Sequence, residues 1–200
     1  MTPLPNMARR RVLQLAAASS LGASFGALAQ TSQAPLRLIV GFPPGGATDV
    51  VARYLAEAMR TRLKRTVLVE NKPGAAARIA AEYLKSAPAD GSVILITPNP
   101  VVTQYPSVYR KLSYDPVRDL EPLAMVASYP LLVSVGPAVP ASVRSIKDYV
   151  QWAKSGPRNG FFASPAAGST PHFVGLMLGR AAGVELTHVP YRGDAPAVQD

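Results

Sequence analysis

The chain has 200 residues, of which 48% are hydrophobic and 16% are charged, a composition that favours packed cores and excludes a disordered protein. No cysteine is present, which excludes disulfides, thiolate metal sites and cysteine nucleophiles. Lys and Arg number 21 against 12 Asp and Glu, a formal charge of +9. Three of these bases, Arg9–Arg11, lie in a segment that we expect to be removed, and the remaining 18 bases form no dense run, so nucleic acid is not the expected partner.

The amino terminus predicts an export signal. A positive region at Met7–Arg11 precedes an uncharged stretch at Val12–Leu28, whose small final residues predict cleavage before Gln30. The arginines and the apolar pair after them fit a twin-arginine signal as well as a general secretory one. We therefore expect residues 1–29 to be a signal peptide and the mature protein to be periplasmic.

The next residues predict an alternating α/β pattern. A run of branched apolar residues at Leu36–Phe42 predicts a buried strand, and Thr48 and Asp49 are good caps for a following helix. Three more elements are predicted: a strand at Thr66–Glu70, a helix at Ala75–Lys85 and a strand at Ser92–Thr97. The order βαβαβ requires crossover connections and predicts a mostly parallel sheet.

Two apolar runs, Leu120–Ser128 and Leu131–Val135, predict strand-like linkers that meet at Tyr129 and Pro130. The α/β alternation then restarts, with a helix at Ser145–Lys154, a strand at Gly160–Ala163, a helix at Thr170–Ala182, a strand at Glu185–Val189 and a helix that begins near Ala195. We therefore assign residues 30–128 to a first α/β lobe and residues 129–200 to a second, with a ligand cleft between them. We expect the second sheet to be incomplete at Asp200, as in a fragment or a truncated gene.

The loop from Phe42 to Asp49 has the composition of an anion-binding turn. Prolines stiffen it, glycines let a ligand approach the backbone, and the free amides and dipole of a helix start favour a carboxylate or phosphate. A tight βα turn that binds nothing is the alternative. No Gly-Lys-Ser/Thr follows, which excludes a nucleotide-binding P-loop. The predicted ligand-binding residues here are Phe42, Pro44, Gly45, Gly46, Ala47, Thr48 and Asp49.

A second loop of this kind lies at Ala167–His172, where Ser169 or Thr170 can cap the next helix. Two such loops facing each other would hold a molecule with two acidic ends, so we expect Gly46 and Thr170 to share a cavity. Ser169 beside His172 also raises the possibility of a serine hydrolase, but no nucleophile-elbow motif surrounds this serine.

A metal site or cofactor is not predicted. The two histidines, His172 and His188, are far apart in sequence and neither has a carboxylate at ligand spacing.

Four motifs in one order carry a family resemblance. They are Phe42–Asp49, Glu70–Ala75, Gly168–His172 and Val189–Gly193. From Leu36 onward the sequence resembles the substrate-binding proteins of tripartite tricarboxylate transporters, the Bordetella uptake gene (Bug) family. The resemblance implies a two-lobed fold of the type II periplasmic-binding-protein kind, here with an incomplete second lobe. It also implies a receptor, not an enzyme, that captures a small carboxylate and delivers it to membrane permease subunits.

The resemblance also implies roles for individual residues. The opposite wall of the site would be formed by Gly168, Ser169, Thr170 and His172, and its second end would be closed by Tyr191, Arg192 and Gly193. Arg192 would pair with a carboxylate, although a solvated surface arginine is equally compatible. The resemblance gives the residues from Asn71 to Gly74 a role in shaping the first lobe without contacting ligand. A ligand-sensing partner of a sensor kinase and a non-functional remnant are the alternative functions.

Overall fold

The structure is a computed structural model that describes residues 34–200, so the predicted signal peptide at residues 1–29 lies outside the described residues. The strands are β1 (Leu36–Val40), β2 (Val67–Asn71), β3 (Val93–Ile96), β4 (Phe161–Ser164) and β5 (Thr187–Pro190). The helices are α1 (Ala47–Leu63), α2 (Arg78–Lys85), α3 (Pro100–Thr103), α4 (Tyr105–Val108), α5 (Ile146–Lys154), α6 (Thr170–Ala182) and α7 (Asp194–Gln199).

The strands form two parallel sheets. The first sheet has the order β2-β1-β3, and the second pairs β4 with β5. The predicted α/β fold with parallel sheets is confirmed. Because parallel strands share one carboxyl edge, the loops that follow β1, β2, β4 and β5 are brought to the ends of their sheets.

The central strand β1 is buried on both faces, as expected for a parallel sheet covered by helices. Leu38 and Val40 pack on one face against Ala52 and other residues of α1. Ile39 points the other way and packs against Ala80 of α2. This alternation follows from the period of two along a strand, and the alanines let both helices approach closely.

The second sheet has a smaller core. Tyr149 and Ala153 of α5 pack on Leu186, which lies just before β5. Ser145 caps α5 with its hydroxyl, which accepts a hydrogen bond from the Asp148 amide at 3.1 Å. Among residues 34–200, no helix has both the length and the apolar character needed to cross a bilayer.

Three features differ from the sequence-based expectations. Thr48 and Asp49 lie inside the first turn of α1, and the residue in the capping position is Gly46. The helix predicted from Ala75 begins at Arg78, because the three alanines before it form a left-handed turn. The short helices α3 and α4 were not predicted.

The predicted linker strands at Leu120–Ser128 and Leu131–Val135 are also absent. A strand needs a neighbour for its amides and carbonyls, and no strand of the described part of the chain pairs with these runs. Their apolar side chains are consequently exposed, with Met125 85% and Leu132 86% accessible.

Candidate functional site

A cavity of about 290 Å³ lies where the ends of the two sheets meet. Most of its lining residues directly follow β1, β4 and β5 or belong to the turn after β2. The others are the last residue of β5, the first residue of α2 and a tyrosine at the end of α4. They are Gly41, Phe42, Pro43, Gly74, Ala75, Ala76, Ala77, Arg78, Tyr109, Pro165, Ala166, Ala167, Pro190, Tyr191 and Arg192. A volume near the lower end of the range for small-molecule sites suits a compact metabolite.

The cavity is positively charged. Arg78 and Arg192 are the charged residues among the described ones that line it, and no carboxylate belongs to the lining. Tyr109 and Tyr191 also line it, with hydroxyls that donate to the Ala167 carbonyl and the Asp200 carboxylate, and the other lining residues are small or apolar. Such a lining favours an anionic ligand with a limited apolar body.

The left-handed turn forms one wall. Ala75, Ala76 and Ala77 have φ angles of 46°, 57° and 68°, a region that costs a residue with a Cβ about 1–2 kcal/mol. Gly41 permits this conformation, because a Cβ there would lie 2.4 Å from the Ala77 Cβ. Backbone strain of this kind clusters at ligand sites, so the turn is a candidate binding element.

The loop after β1 is held by a buried carboxylate. Asp49 is 2% exposed, and its oxygens accept hydrogen bonds from the Gly45 amide at 3.0 Å, the Arg53 guanidinium at 2.8 Å and the Asn71 amide group at 2.9 Å. The Asn71 amide group also donates to the Phe42 carbonyl at 3.0 Å. Asp49 therefore ties the loop to α1 and β2 and already occupies the Gly45 amide.

Desolvation alone would raise the pKa of Asp49, but the hydrogen bonds from Arg53, Gly45 and Asn71 outweigh it and lower this pKa to about 2. The carboxylate stays ionised throughout the neutral range. Its charge is satisfied within the loop, so Asp49 does not add negative charge to the cavity.

The loop after β4 is held by an imidazole. The Gly168 amide donates to Nδ1 of His172 at 3.0 Å, and the Ser169 hydroxyl donates to the Ala166 carbonyl at 2.6 Å. Desolvation by burial lowers the pKa of His172 and keeps it neutral, as an acceptor must be. Because the Ser169 hydroxyl donates to a carbonyl, this pair lacks the serine-to-histidine hydrogen bond that nucleophilic catalysis requires.

The two histidines lie together although they are distant in sequence. The rings of His172 and His188 are stacked with centroids 3.9 Å apart, and His188 Nε2 lies 2.7 Å from the hydroxyl of Ser164. Burial, and then the proximity of His172, lower the pKa of His188. Ser164 is 2% exposed and also contacts the Ala166 carbonyl as a hydrogen-bond donor. This buried cluster therefore supports the loop after β4.

Two hydrogen bonds cross between the predicted lobes beside the cavity. The hydroxyl of Tyr109 donates to the carbonyl of Ala167 at 2.8 Å. The side-chain amide of Gln104 donates to the hydroxyl of Thr170 at 2.8 Å. Both donors lie at the ends of short helices that the sequence did not predict.

The structure brings some predicted site residues into the cavity and leaves others outside its lining. Phe42, Tyr191 and Arg192 line it, and Gly193 lies beside Pro43. The remaining predicted residues, including Gly46 and Thr170, do not line the cavity; they are Pro44, Gly45, Gly46, Ala47, Thr48, Asp49, Gly168, Ser169, Thr170 and His172. The cavity therefore lies beside the residues that precede the two helix starts.

Sequence reasoning missed the left-handed turn, Arg78 and Tyr109. Alanine is the strongest helix former, so the run at Ala75–Ala77 was read as helix, and only Gly74 before it signals a turn. Tyr109 reaches the cavity through tertiary contacts, for which no local signal exists. Among the described residues, no group of three His, Cys, Asp or Glu side chains is placed to hold a metal ion.

Comparison with solved structures defines the class of protein. The structure of R. palustris Rpa4515 with adipate is 34% identical in sequence, with a TM-score of 0.79 over 84% of this chain and 56% of that one. The periplasmic binding protein BugD is 34% identical, with a TM-score of 0.69 over 83% of this chain and 55% of that one. The fold is therefore that of a periplasmic binding protein.

The family follows from the sequence comparisons. The model of the tripartite tricarboxylate transporter family receptor, TctC, matches residues 51–200, and the chain belongs to this family. A protein of Pseudomonas sp., the UPF0065 protein in the tcbD-tcbE intergenic region, is 35% identical over 98% of this chain and 58% of its own length. The chain thus spans somewhat more than half the length of these relatives.

Proposed function

We propose that this protein is a periplasmic receptor that captures a small carboxylate and delivers it to a permease of the tripartite tricarboxylate type. The observation that carries the proposal is the cavity at the ends of both sheets, lined by two arginines and by no carboxylate. Such a cavity attracts an anion and offers it planar, bidentate hydrogen-bond donors.

The residues that line the cavity contact the ligand in this proposal. Arg192 pairs with a carboxylate, and Phe42 and the ring of Tyr191 contact the apolar body, because the Tyr191 hydroxyl already donates to the Asp200 carboxylate. The residues from Pro44 to Asp49 and from Gly168 to His172 act mainly as supports, because Asp49 and His172 fix the loops on which the lining residues lie.

Family and charge agree on the ligand class. The R. palustris relative was solved with adipate, a dicarboxylate. The present cavity has two cationic side chains, which matches the two negative ends of such a molecule. Receptor function is favoured over hydrolysis at the predicted Ser169 and His172 pair, because the Ser169 hydroxyl donates to the Ala166 carbonyl and His172 Nδ1 accepts from the Gly168 amide.

Thermal unfolding of the full chain with a panel of ligands tests the proposal. A carboxylate at a hundredfold excess over its Kd stabilises the folded state by about 2.7 kcal/mol, which raises the Tm of a chain of this size by about 5–10 °C. The panel contains succinate, glutarate, adipate, malate and citrate, with 1,6-hexanediol as an uncharged control. A Tm that no carboxylate raises above the value in hexanediol would contradict carboxylate capture.

A further inference from the structure

Arg78 stands out among the cations because the fold fixes it at the cavity wall. It is the first residue of α2 and directly follows the left-handed turn. The turn delivers this side chain to the lining, which also contains Arg192 from the predicted second lobe. The two arginines therefore approach one cavity from different parts of the chain.

The guanidinium of Arg78 is oriented by two contacts, one with an aromatic ring against its face and one with a backbone carbonyl at its edge. Its Cζ lies 3.8 Å from the centroid of the Tyr109 ring, a close cation–π contact. Its Nε donates to the carbonyl of Ala75 at 2.8 Å, within the turn. The ring of Tyr109 is itself fixed, by an edge-to-face contact with buried Tyr105 and by its hydrogen bond to Ala167.

The two Nη groups of Arg78 retain their hydrogen-bonding capacity. The ion pairs between described residues involve Arg37, Arg53, Arg60, Lys85 and Arg118, and not Arg78. The hydrogen bond that Arg78 donates within residues 34–200 uses Nε alone. A planar group oriented by two contacts, with its remaining donors unused, loses little freedom when it binds a carboxylate.

We propose that Arg78 is the specificity-determining residue of the cavity and binds the second carboxylate of a dicarboxylate ligand. This inference rests on the proposed function and adds the substrate class, a dianion in preference to a monoanion. Arg192 supplies the first anchor, and Tyr109 is a positioning residue that acts through Arg78. The turn from Gly74 to Ala77 then belongs to the ligand site, in contrast to the purely structural role that the family resemblance implied for Gly74.

The test compares a dicarboxylate with its monoamide, which has the same shape and one negative charge fewer. The full chain, Arg78→Gln and Arg78→Lys are titrated by calorimetry with the tightest-binding acid among succinate, glutarate and adipate, and then with its monoamide. Arg78→Gln should weaken dicarboxylate binding about 10- to 100-fold, the range for a charge-assisted hydrogen bond. The affinity ratio of dicarboxylate to monoamide should fall towards one.

The matched control is Arg110→Gln, which removes one positive charge from an exposed residue next to Tyr109 that does not line the cavity. Its affinity ratio should equal that of the unaltered chain. If Arg78→Gln keeps the ratio unchanged, or lowers both affinities equally, the role of Arg78 is overturned while carboxylate capture stands. If the unaltered chain binds none of these three acids and neither malate nor citrate, both proposals fall.

Arg78→Lys decides the matter if the glutamine variant does not fold. Lysine keeps the positive charge but lacks the planar fork and the Nε bond to Ala75. Its affinity ratio should fall about tenfold while its circular dichroism spectrum matches that of the unaltered chain. An unchanged ratio in this folded variant overturns the proposal.

Discussion

The loops after β1 and β4 are each held by a hydrogen bond from a glycine amide to a side chain, but the two acceptor side chains differ in chemistry. In each, a glycine with a positive φ donates its amide to a side chain four residues later, from Gly45 to Asp49 and from Gly168 to His172. The first acceptor is a charged carboxylate with three further donors, whereas the second is a neutral imidazole stacked on His188. The first loop is therefore held by charge and the second by packing.

This difference bears on how the cavity is built. An amide that is already bonded to its own loop is not free to bind a ligand, so both glycines act as supports. The residues that line the cavity precede these glycines in the chain, such as Phe42 in the first loop and Ala167 in the second. Because their acceptors differ, the two loops should respond differently to a change of pH or to substitution of the acceptor residue.

The largest expected effect is that of Asp49→Ala. The change leaves the Gly45 amide, the Arg53 guanidinium and the Asn71 amide group without their shared acceptor. Because the carboxylate is buried and multiply bonded, the free energy of unfolding should fall by about 2–3 kcal/mol. Urea unfolding followed by circular dichroism measures this loss.

Glu57→Ala is the matched control for Asp49→Ala. It removes a carboxylate from the same helix, where Glu57 forms an exposed ion pair with Arg60. Exposed pairs contribute at most about 1 kcal/mol, so this variant should lose much less stability. Equal losses in the two variants would show that the Asp49 network does not hold the first loop.

A smaller effect separates the two glycines. Gly45 and Gly168 have φ angles of 88° and 76°, so alanine at either position costs about 1 kcal/mol of backbone strain. A Cβ at Gly45 would meet open space, whereas one at Gly168 would lie 3.0 Å from Val108 and 3.2 Å from the Tyr109 hydroxyl. Gly168→Ala should therefore destabilise by about 1 kcal/mol more than Gly45→Ala, because of overpacking. Chemical unfolding of both variants measures the difference, and equal stabilities would contradict the contact with Tyr109.

The same contrast shows what the sequence could predict. Strands such as β1 and helices such as α6 were predicted to within about two residues, because branched runs, capping residues and apolar spacing are local signals. The roles of Asp49 and His172 were not predicted, because each depends on which amide its side chain reaches. Asp49 was predicted to cap α1, but it lies inside the first turn of the helix, and its partners Asn71 and Arg53 became known only from the fold.

The cavity wall was harder still to predict. Ala75–Ala77 has the composition of a helix and the conformation of a left-handed turn, and Gly41, more than 30 residues earlier, is what permits it. The contact of Tyr109 with Arg78 likewise joins elements distant in sequence. Local propensity carries no information about such pairs, so Arg78 was not among the predicted site residues.

The smallest expected effect is on the pH dependence of stability. It reports on the second loop and not the first, because His172 holds the second loop and His188 stacks on His172. Burial lowers the pKa of both His172 and His188 from the usual 6.5, the latter also through its neighbour. A histidine with a lowered folded pKa takes up protons more readily when unfolded, so its stabilisation is complete above pH 6.5 and declines as the pH falls below it. The contribution of Asp49 to the free energy of unfolding, by contrast, is lost only as the pH falls from its usual pKa of 3.8 to its folded pKa of about 2.

Unfolding free energies at several pH values between 7.5 and 5 measure this decline. They should decrease with falling pH in the unaltered chain and in Asp49→Asn, since the carboxylate does not titrate in this window. His172→Gln should flatten the slope, because it removes one of the two titrating rings and relieves the charge repulsion on the other. A slope that is flat in the unaltered chain, or unchanged in His172→Gln, would contradict the lowered pKa values of the two stacked imidazoles. Support of the second loop would then rest on the Ser169 hydroxyl, which donates to the Ala166 carbonyl at any pH in this range.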